Sequence, residues 1–416
     1  MKRYDVVVVG GGFAGIGSAL ASARSGAKTL IVDKSNCFGG ASVNSLVNPF
    51  MPFCTKIGEE YLLLSQGIFL EIHKKLKERG SIKGMGFLEE DLKFLINDMM
   101  IDADVDIMFN SYLSSVENVN GKIKSVTFAT KGGQVTVEGD YFIDATGDAM
   151  LASLAGVPTV LGREGDNLCQ PMTLCFRVGN VDVERFMKGR DNLSKAYTKA
   201  FNEGKFINPR EDILVFKTPI PNVLNFNTTR VVKFSPIDAV EVTQAEIIAR
   251  KQVKEIFDFM KEHACGFENA FLMMTAHEIG VRESRQIVGD YVLTEKDCRN
   301  FTIFEDAITA CNYDIDIHNP EGSGTSHYYF PEGKFYTIPY RSLIPKTVEN
   351  MLVAGRCISS DHGAQASYRV MSTVCNIGEA AGTAIGLAVK NKSSVREIDV
   401  KKLQTVLKSN GAFIGL

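Results

Sequence analysis

The 416-residue chain has no pair of cysteines at the spacing of a metal-binding or redox motif. Its nine cysteines are scattered, and the absence of a C-x-x-C pair disfavours a zinc site, an iron–sulfur cluster and a redox disulfide. We therefore predict no metal site. An odd number of scattered cysteines is typical of free thiols in a reducing cytosol.

The chain also lacks long apolar runs and a strong charge of one sign. It contains no stretch of roughly eighteen or more apolar residues, so neither a membrane-spanning helix nor a membrane partner is expected. The first residues lead directly into a short apolar strand without the pattern of a signal peptide, which favours a cytoplasmic location. The formal net charge of -3, with both signs mixed along the chain, disfavours a nucleic-acid partner.

A glycine-rich turn, Gly10-Gly11-Gly12-Phe13-Ala14-Gly15, lies between a predicted strand and a predicted helix. Residues 5–9 are an aspartate followed by four valines, as in a buried parallel strand. Residues 14–25 are rich in alanine with apolar residues at helical spacing, and residues 29–32 form the returning strand. A G-x-G-x-x-G pattern in this context predicts a dinucleotide-binding unit.

Each glycine of this pattern has a physical task. Gly10 permits the tight turn, Gly12 lets the backbone approach a pyrophosphate, and Gly15 allows close packing of the helix on the strand. The N-terminus of the helix presents free N–H groups to the phosphates. Asp33, which ends the second strand, can accept hydrogen bonds from the ribose hydroxyls. The alternative is an α/β unit that binds no nucleotide.

The last third of the chain repeats the order of elements seen in the first: a strand, a glycine turn and a helix of small residues. A strand over residues 350–354 meets Gly355-Arg356 and leads to a helix of small residues at about 370–389. The middle contains polar loops and a long amphipathic helix at about 240–263. We predict an α/β fold in which a Rossmann-like domain is assembled from both ends of the chain around an inserted α+β substrate or cap domain. The predicted boundaries are 1–160 and 336–400 for the first domain, 161–335 for the inserted domain, and 401–416 for a C-terminal tail.

Three short motifs resemble those of the glutathione-reductase-like flavoproteins, also called the two-dinucleotide-binding superfamily. The first is Asp33-Lys34 followed by Gly39-Gly40, and the second is Ala145-Thr146-Gly147-Asp148. The third is Leu352-Val353-Ala354-Gly355-Arg356. In that superfamily all three approach FAD. The start of the helix at Met371-Ser372-Thr373 would then face the pyrimidine edge of the flavin, where a positive helix end stabilises the reduced form.

Further segments resemble the bacterial group known as FAD-dependent oxidoreductases, and with the two ends of the chain they span nearly the whole sequence. They are residues 171–174 (PMTL), 282–291 (RESRQIVGDY), 316–318 (DIH), 338–345 (IPYRSLIP) and 355–359 (GRCIS). The resemblance implies FAD as cofactor. The predicted cofactor contacts are Gly10, Gly12, Phe13, Ala14, Gly15, Asp33, Lys34, Gly39, Gly40, Ala41, Ser42, Leu113, Ala145, Thr146, Gly147, Asp148, Gly355, Arg356, Val370, Met371 and Ser372.

Chemistry on a substrate needs a group that moves a proton, and often a cation that holds an anionic group. His362 follows the third motif by six residues and is our predicted proton carrier, with a purely structural hydrogen bond as the alternative. Arg341 and Arg282 are predicted to bind an anion. Arg282 and Arg285 are three residues apart, so they could share one face of a helix. The other candidates are His277, His318, His327, Tyr340 and Arg369.

The sequence therefore predicts an enzyme, an FAD-dependent dehydrogenase or reductase. It would move a hydride between flavin N5 and a small organic substrate, which could be neutral or anionic. It would exchange electrons with a separate carrier. The chain has no tryptophan, and so lacks the Trp-bearing motif of flavin-dependent halogenases. Two alternatives stay open: a flavin-dependent RNA-modifying protein, and a protein that binds FAD without turnover.

Overall fold

The computed structural model describes residues 2–416, which contain twenty-one strands, eleven α-helices and two short 3-10 helices. The strands are β1 (Lys2–Val9), β2 (Thr29–Val32), β3 (Cys54–Ile57), β4 (Glu60–Leu63), β5 (Ile82–Lys83), β6 (Gly86–Phe87), β7 (Asp106–Met108), β8 (Tyr112–Val119), β9 (Lys122–Thr130), β10 (Gly133–Asp144), β11 (Thr159–Leu161), β12 (Phe176–Gly179), β13 (Val215–Lys217), β14 (Leu224–Phe226), β15 (Phe271–Thr275), β16 (Arg285–Ile287), β17 (Ala307–Cys311), β18 (Ile315–His318), β19 (Thr325–Tyr328), β20 (Tyr336–Pro339) and β21 (Met351–Val353). The helices are α1 (Phe13–Arg24), α2 (Ala41–Asn44), α3 (Gly67–Glu78), α4 (Glu89–Asp102), α5 (Met150–Leu154), α6 (Val183–Asn202), α7 (Ala239–His263), α8 (Glu295–Arg299), α9 (His362–Tyr368), α10 (Met371–Asn391) and α11 (Val400–Ser409), with 3-10 turns at Tyr340–Leu343 and Val395–Glu397.

A seven-stranded sheet forms the centre of the fold. Strands β7, β2, β1 and β10 are parallel neighbours in that order, and β21 pairs in parallel with the carboxyl end of β10. The other half of β10 pairs antiparallel with β9, which pairs with β8. The valines of β1 are buried on both faces, which explains why the strand is continuously apolar. The predicted α/β fold is confirmed, and the central sheet consists mostly of parallel strands.

Helices α1 and α10 pack against each other with their backbones in contact. A Cβ atom on Gly378 would lie 2.0 Å from the carbonyl oxygen of Ala14, and one on Gly382 would lie 2.2 Å from that of Ser18. The second contact lies four residues further along both helices than the first. The helices therefore run parallel and begin at the same edge of the sheet. The small residues that suggested two similar helices therefore serve this close approach.

A second hydrophobic cluster lies in the middle of the chain. Its residues come from 172–279, with Leu46 added, and include the inner faces of α6 and α7. These helices cover the antiparallel sheet β13-β14-β12-β15. Residues between Ile287 and Ile338 pack in the first cluster with the central sheet, as do Leu403 and Leu407 of α11. The predicted insertion 161–335 thus contributes to both clusters, and its boundaries stay a prediction.

Two local findings bear on the sequence analysis. The expectation that Arg282 and Arg285 share one helix face is wrong, because Arg285 begins β16 and pairs with Leu161 of β11 in an extended conformation. The long helix predicted at about 240–263 is α7, and Asp238 caps it by accepting hydrogen bonds from the backbone of its first turn. Within residues 2–416, no helix has both the length and the apolarity required to cross a bilayer.

Candidate functional site

A cavity of about 620 Å³ opens at the carboxyl ends of the parallel strands β1, β2, β10 and β21. This is the edge at which open α/β sheets bind ligands. Most predicted cofactor contacts line it, namely Gly10, Gly12, Phe13, Ala14, Asp33, Lys34, Gly39, Gly40, Ala41, Ser42, Ala145, Thr146, Gly147, Asp148, Gly355, Arg356 and Met371. Gly15, Leu113, Val370 and Ser372 lie outside the lining: Leu113 is in the hydrophobic core and Val370 precedes the first turn of α10.

The two glycine turns form a bare backbone cradle. Gly10 has φ +110°, and a Cβ there would lie 2.3 Å from the carbonyl oxygen of Ala145. Gly15 packs beneath the turn, since its Cβ would meet the carbonyl oxygen of Gly10. The nearest atom to a Cβ on Gly12 is the Cα of Gly40, at 3.9 Å, so the two turns face each other. This geometry fits a pyrophosphate that must approach the backbone closely.

Two long helices begin at this cavity without a capping side chain. Helix α1 starts at Phe13 after Gly12, and α10 starts at Met371 after Val370. Their first N–H groups are therefore free of side-chain partners and carry the positive end of each helix dipole. Phe13 and Met371 both line the cavity. One helix end can bind phosphate and the other can bind a second anionic group of the same ligand.

Asp33 fixes the first glycine turn. Its carboxylate accepts hydrogen bonds from the backbone N–H of Gly11 and, at 2.7 Å, from that of Ser35. A carboxylate has about four acceptor sites, so these two bonds leave capacity for ribose hydroxyls. Asp33 also lines the cavity. The sequence assigned it the ribose contact, and the position is compatible with that role.

Arg356 lies across the second motif. Its Nη2 donates to Oδ1 of Asp148 at 2.6 Å, and the guanidinium covers Gly147, where a Cβ would lie 2.9 Å from it. The hydroxyl of Ser284 donates to the same carboxylate oxygen at 2.6 Å. Arg356 and Asp148 both line the cavity. The second and third motifs are thus joined directly by an ion pair.

One side of the cavity is built from the middle of the chain. Residues 236–239, Val242 and Glu246 contribute from the start of α7 and the loop before it, together with Glu278, Ile279 and Val281. The ammonium of Lys34 donates to Glu278 at 2.7 Å and ties this side to the end of β2. Residues 236–239 were not predicted from the sequence, because a loop and a helix cap that cover a cavity by tertiary packing carry no motif of their own.

His362 lies at the first turn of α9, outside the cavity lining. Its Nδ1 is 2.8 Å from Oε1 of Glu283, whose side chain is fully buried. The other oxygen of Glu283 accepts a hydrogen bond from the backbone N–H of Gln170 at 2.8 Å. The buried carboxylate therefore orients the ring, leaving Nε2 as the nitrogen that could exchange a proton. Its predicted role as proton carrier stays a prediction.

The two predicted anion-binding arginines lie in different surroundings. Arg282 is mostly enclosed and donates to the carbonyl oxygen of Pro171 at 2.7 Å and to Asn227 at 3.2 Å. Arg341 is half exposed, forms an ion pair with Asp306 at 2.9 Å and is not among the residues of the cavity wall. The role of Arg341 stays a prediction, and its ion pair already satisfies the guanidinium.

The match to a protein family agrees with this geometry. The family model described as "FAD dependent oxidoreductase" matches residues 5–407. The chain belongs to the FAD-dependent oxidoreductase family. FAD is therefore the cofactor, as predicted, and the uncapped helix ends and the glycine cradle are the features of this structure that fit it. A comparison with curated proteins gives no match.

Solved structures resemble this chain at low sequence identity. A geranylgeranyl bacteriochlorophyll reductase-like protein from Thermoplasma acidophilum is 14% identical, with a TM-score of 0.51 over 98% of this chain and 84% of that chain. The p-nitrophenol 4-monooxygenase from Pseudomonas putida is 10% identical, with a TM-score of 0.47 over 100% of this chain and 87% of that chain. The first similarity supports the fold and nothing finer.

Proposed function

We propose that this flavoenzyme transfers a hydride between flavin N5 and a small organic substrate. The supporting observation is the composition of the cavity, whose wall combines the cofactor turns with residues 236–239, Glu278, Ile279 and Val281 from the middle of the chain. We further propose that the second hydrophobic cluster, residues 172–279, acts as the substrate domain inserted into a fold of the glutathione-reductase-like superfamily. A substrate between the two would lie beside the cofactor.

The proposal assigns one task to residues of the cavity wall and another to His362 and Arg282, which lie outside that wall. The uncapped ends of α1 and α10, with Asp33, hold the cofactor. When bound, FAD accepts or supplies two electrons at its N5. His362, oriented by Glu283, moves the proton that accompanies the hydride. Arg282 provides a positive charge near the substrate.

The experiment begins with the purified FAD-loaded protein and its absorption spectrum. Small organic compounds are screened under anaerobic conditions for bleaching of the flavin, and the photoreduced protein is mixed with candidate acceptors. His362→Ala should slow flavin reduction by the best substrate about 100-fold or more and leave the FAD content unchanged. His263→Ala is the matched control, since His263 is exposed at the C-terminal end of α7 and lies 3.8 Å from the side chain of Glu262.

The possible results separate the alternatives. A protein that holds FAD but neither accepts electrons from any compound nor passes them on is an FAD-binding protein without turnover, and the proposal fails. Unchanged reduction in His362→Ala removes that residue from the chemistry. A purified protein that is colourless and does not take up FAD would contradict both FAD as the cofactor and the proposed hydride transfer.

A further inference from the structure

Two arginines beside the cofactor cavity, Arg282 and Arg369, have no carboxylate oxygen within 4.0 Å among residues 2–416. Arg282 donates only to neutral acceptors, namely the Pro171 carbonyl, Thr173 and Asn227. Arg369 donates through Nη2 to the backbone carbonyl of Asp316 at 3.1 Å. Its Nη1 is buried without any hydrogen-bond partner in the described structure. An enclosed guanidinium with unpaired donors is costly unless an acceptor reaches it.

The two guanidinium groups act on each other. Burial lowers the pKa of Arg282 to about 9, and the positive charges of Arg369 and then Arg210 contribute to this effect. Arg210 has its own counter-ion, Asp212, at 2.6 Å. Arg282 and Arg369 have no such ion pair, and the charge of Asp316 opposes their mutual repulsion from a greater distance.

One carboxylate, Asp316, faces both arginines. Burial opposes its ionisation, but the contact with His318 and the charges of Arg369 and Arg282 lower the pKa of Asp316. His318 lies 3.3 Å from Asp316 through Nε2, and its Nδ1 is 3.2 Å from Arg230. Burial, with the charge of Arg282, holds the pKa of His318 well below its usual range, so the ring is neutral at pH 7. Asp314, the neighbouring carboxylate, pairs with His327 at 2.7 Å. Arg282 and Arg369 therefore share one nearby negative charge, that of Asp316.

This excess positive charge lies next to the cofactor. Arg369 lines the cavity and directly precedes Val370 and the uncapped start of α10. On the other side, Val281 lines the same cavity one residue before Arg282. The side chain of Gln365, in α9, donates to the carbonyl oxygen of Arg282 at 2.8 Å and so links the two arginine-bearing segments.

We propose that Arg282 and Arg369 form the binding site for the carboxylate of a small monocarboxylate substrate. This inference rests on the proposed function, since it places the substrate between these arginines and the flavin. A guanidinium fork binds a carboxylate through two parallel hydrogen bonds, and Arg369 has a free donor for this. A monoanion neutralises the excess charge, whereas a dianion would leave a net negative charge in an enclosed site.

The test uses the FAD-loaded protein and matched pairs of probes at constant ionic strength. Propionate and benzoate are titrated against their neutral amides, and binding is followed by calorimetry and by the flavin absorption spectrum. At least one carboxylate should bind at least tenfold more tightly than its amide and perturb the flavin spectrum. Succinate and inorganic phosphate should bind more weakly than that carboxylate.

Variants assign the binding to the two arginines. Arg369→Gln should weaken binding of the carboxylate at least tenfold at unchanged FAD content. Arg282→Lys keeps the charge but loses the planar fork, so this variant should also weaken binding of the carboxylate. Because the charge is kept, a loss of binding in Arg282→Lys cannot be attributed to misfolding caused by loss of the charge. Arg185→Gln is the control, because Arg185 is exposed on α6 and paired with Glu268. Its affinity for the carboxylate should match that of the unmodified protein.

Several results would overturn the assignment. They are equal affinity for carboxylates and amides, no binding of either carboxylate, tighter binding of phosphate or succinate, and unchanged carboxylate affinity in Arg369→Gln. The proposed function fails separately. If the protein binds carboxylates but never exchanges electrons, the carboxylate site is supported and the proposed hydride transfer is contradicted. If it turns over an uncharged substrate efficiently and binds no carboxylate, the hydride transfer is supported and the carboxylate site is contradicted.

Discussion

The carboxylate of Glu379, in α10, accepts a hydrogen bond from the backbone N–H of Ile68, in the first turn of α3, at 3.0 Å. The Glu379 side chain is buried, and a Cβ on Gly67 would lie 2.3 Å from it. Glu379 therefore holds the start of α3 against the helix that borders the cofactor cavity. Burial, opposed by the Ile68 N–H, raises the pKa of Glu379 to about 7.

This carboxyl should make the stability of the protein depend on pH. Because its pKa is raised on folding, the stabilising contribution of the protonated form is complete below about pH 4.5 and is lost as the pH rises through about 7. The shift corresponds to about 3 kcal/mol. Glu379→Gln cannot ionise, so urea denaturation between pH 5 and 8 should show a smaller decline in the free energy of unfolding.

Glu321→Gln is the control for this measurement, because Glu321 is exposed and forms an ion pair with Arg163 at 3.0 Å. The pH profile of this variant should follow that of the unmodified protein. Parallel profiles for Glu379→Gln and the unmodified protein would show that Glu379 stays ionised in the folded state, contrary to the prediction.

The contact between α1 and α10 leads to a second prediction. Gly378→Ala places a methyl group where the carbonyl oxygen of Ala14 lies, so one helix must move away from the other. Overpacking of this kind costs about 1–3 kcal/mol or more. We expect a lower melting temperature and a reduced FAD content, because both helices begin at the cofactor cavity. Gly322→Ala, at a position with open space around it, should change neither quantity. An unchanged melting temperature for Gly378→Ala would contradict the backbone contact.

The parts of the site that the sequence predicts are those built by neighbours along the chain. Gly10, Gly15 and Asp33 belong to one strand–turn–helix–strand unit, in which the spacing of residues determines where each one lies. The positions of Gly10 and Asp33 in the cavity wall, and of Gly15 beneath the turn, follow from that unit. The family and its cofactor were predicted for the same reason, because each motif is complete within a few residues.

The remaining features depend on contacts between distant segments. Asp316 and Arg369 are 53 residues apart, and their contact depends on how β18 packs beside α9. The expectation of a helix that carries both Arg282 and Arg285 was wrong, because a three-residue spacing does not exclude a strand. The pairing of β16 with β11 determines the conformation of Arg285. Such pairings are long-range and leave no local pattern in the sequence.

Asp33 gives a prediction for the adenosine end of the cofactor. Asp33→Asn removes the charge and replaces one of the two acceptor oxygens that receive hydrogen bonds from Gly11 and Ser35. Hydrogen bonds to a charged group are worth about 1.5–3 kcal/mol, so FAD affinity should fall by about 10- to 100-fold. The measurement is a titration of the FAD-free protein with FAD, followed by flavin fluorescence.

The choice of control and competitor decides what the Asp33 result means. Asp140→Asn removes an exposed carboxylate paired with Arg3 and should leave the FAD affinity unchanged. If Asp33 contacts the ribose, ADP should compete with FAD in the unmodified protein and compete less well in Asp33→Asn. An equal loss of affinity for FAD and for riboflavin 5′-phosphate, which has no adenosine, would instead show that Asp33 acts only by holding the glycine turn. That outcome would assign it a positioning role and remove the ribose contact.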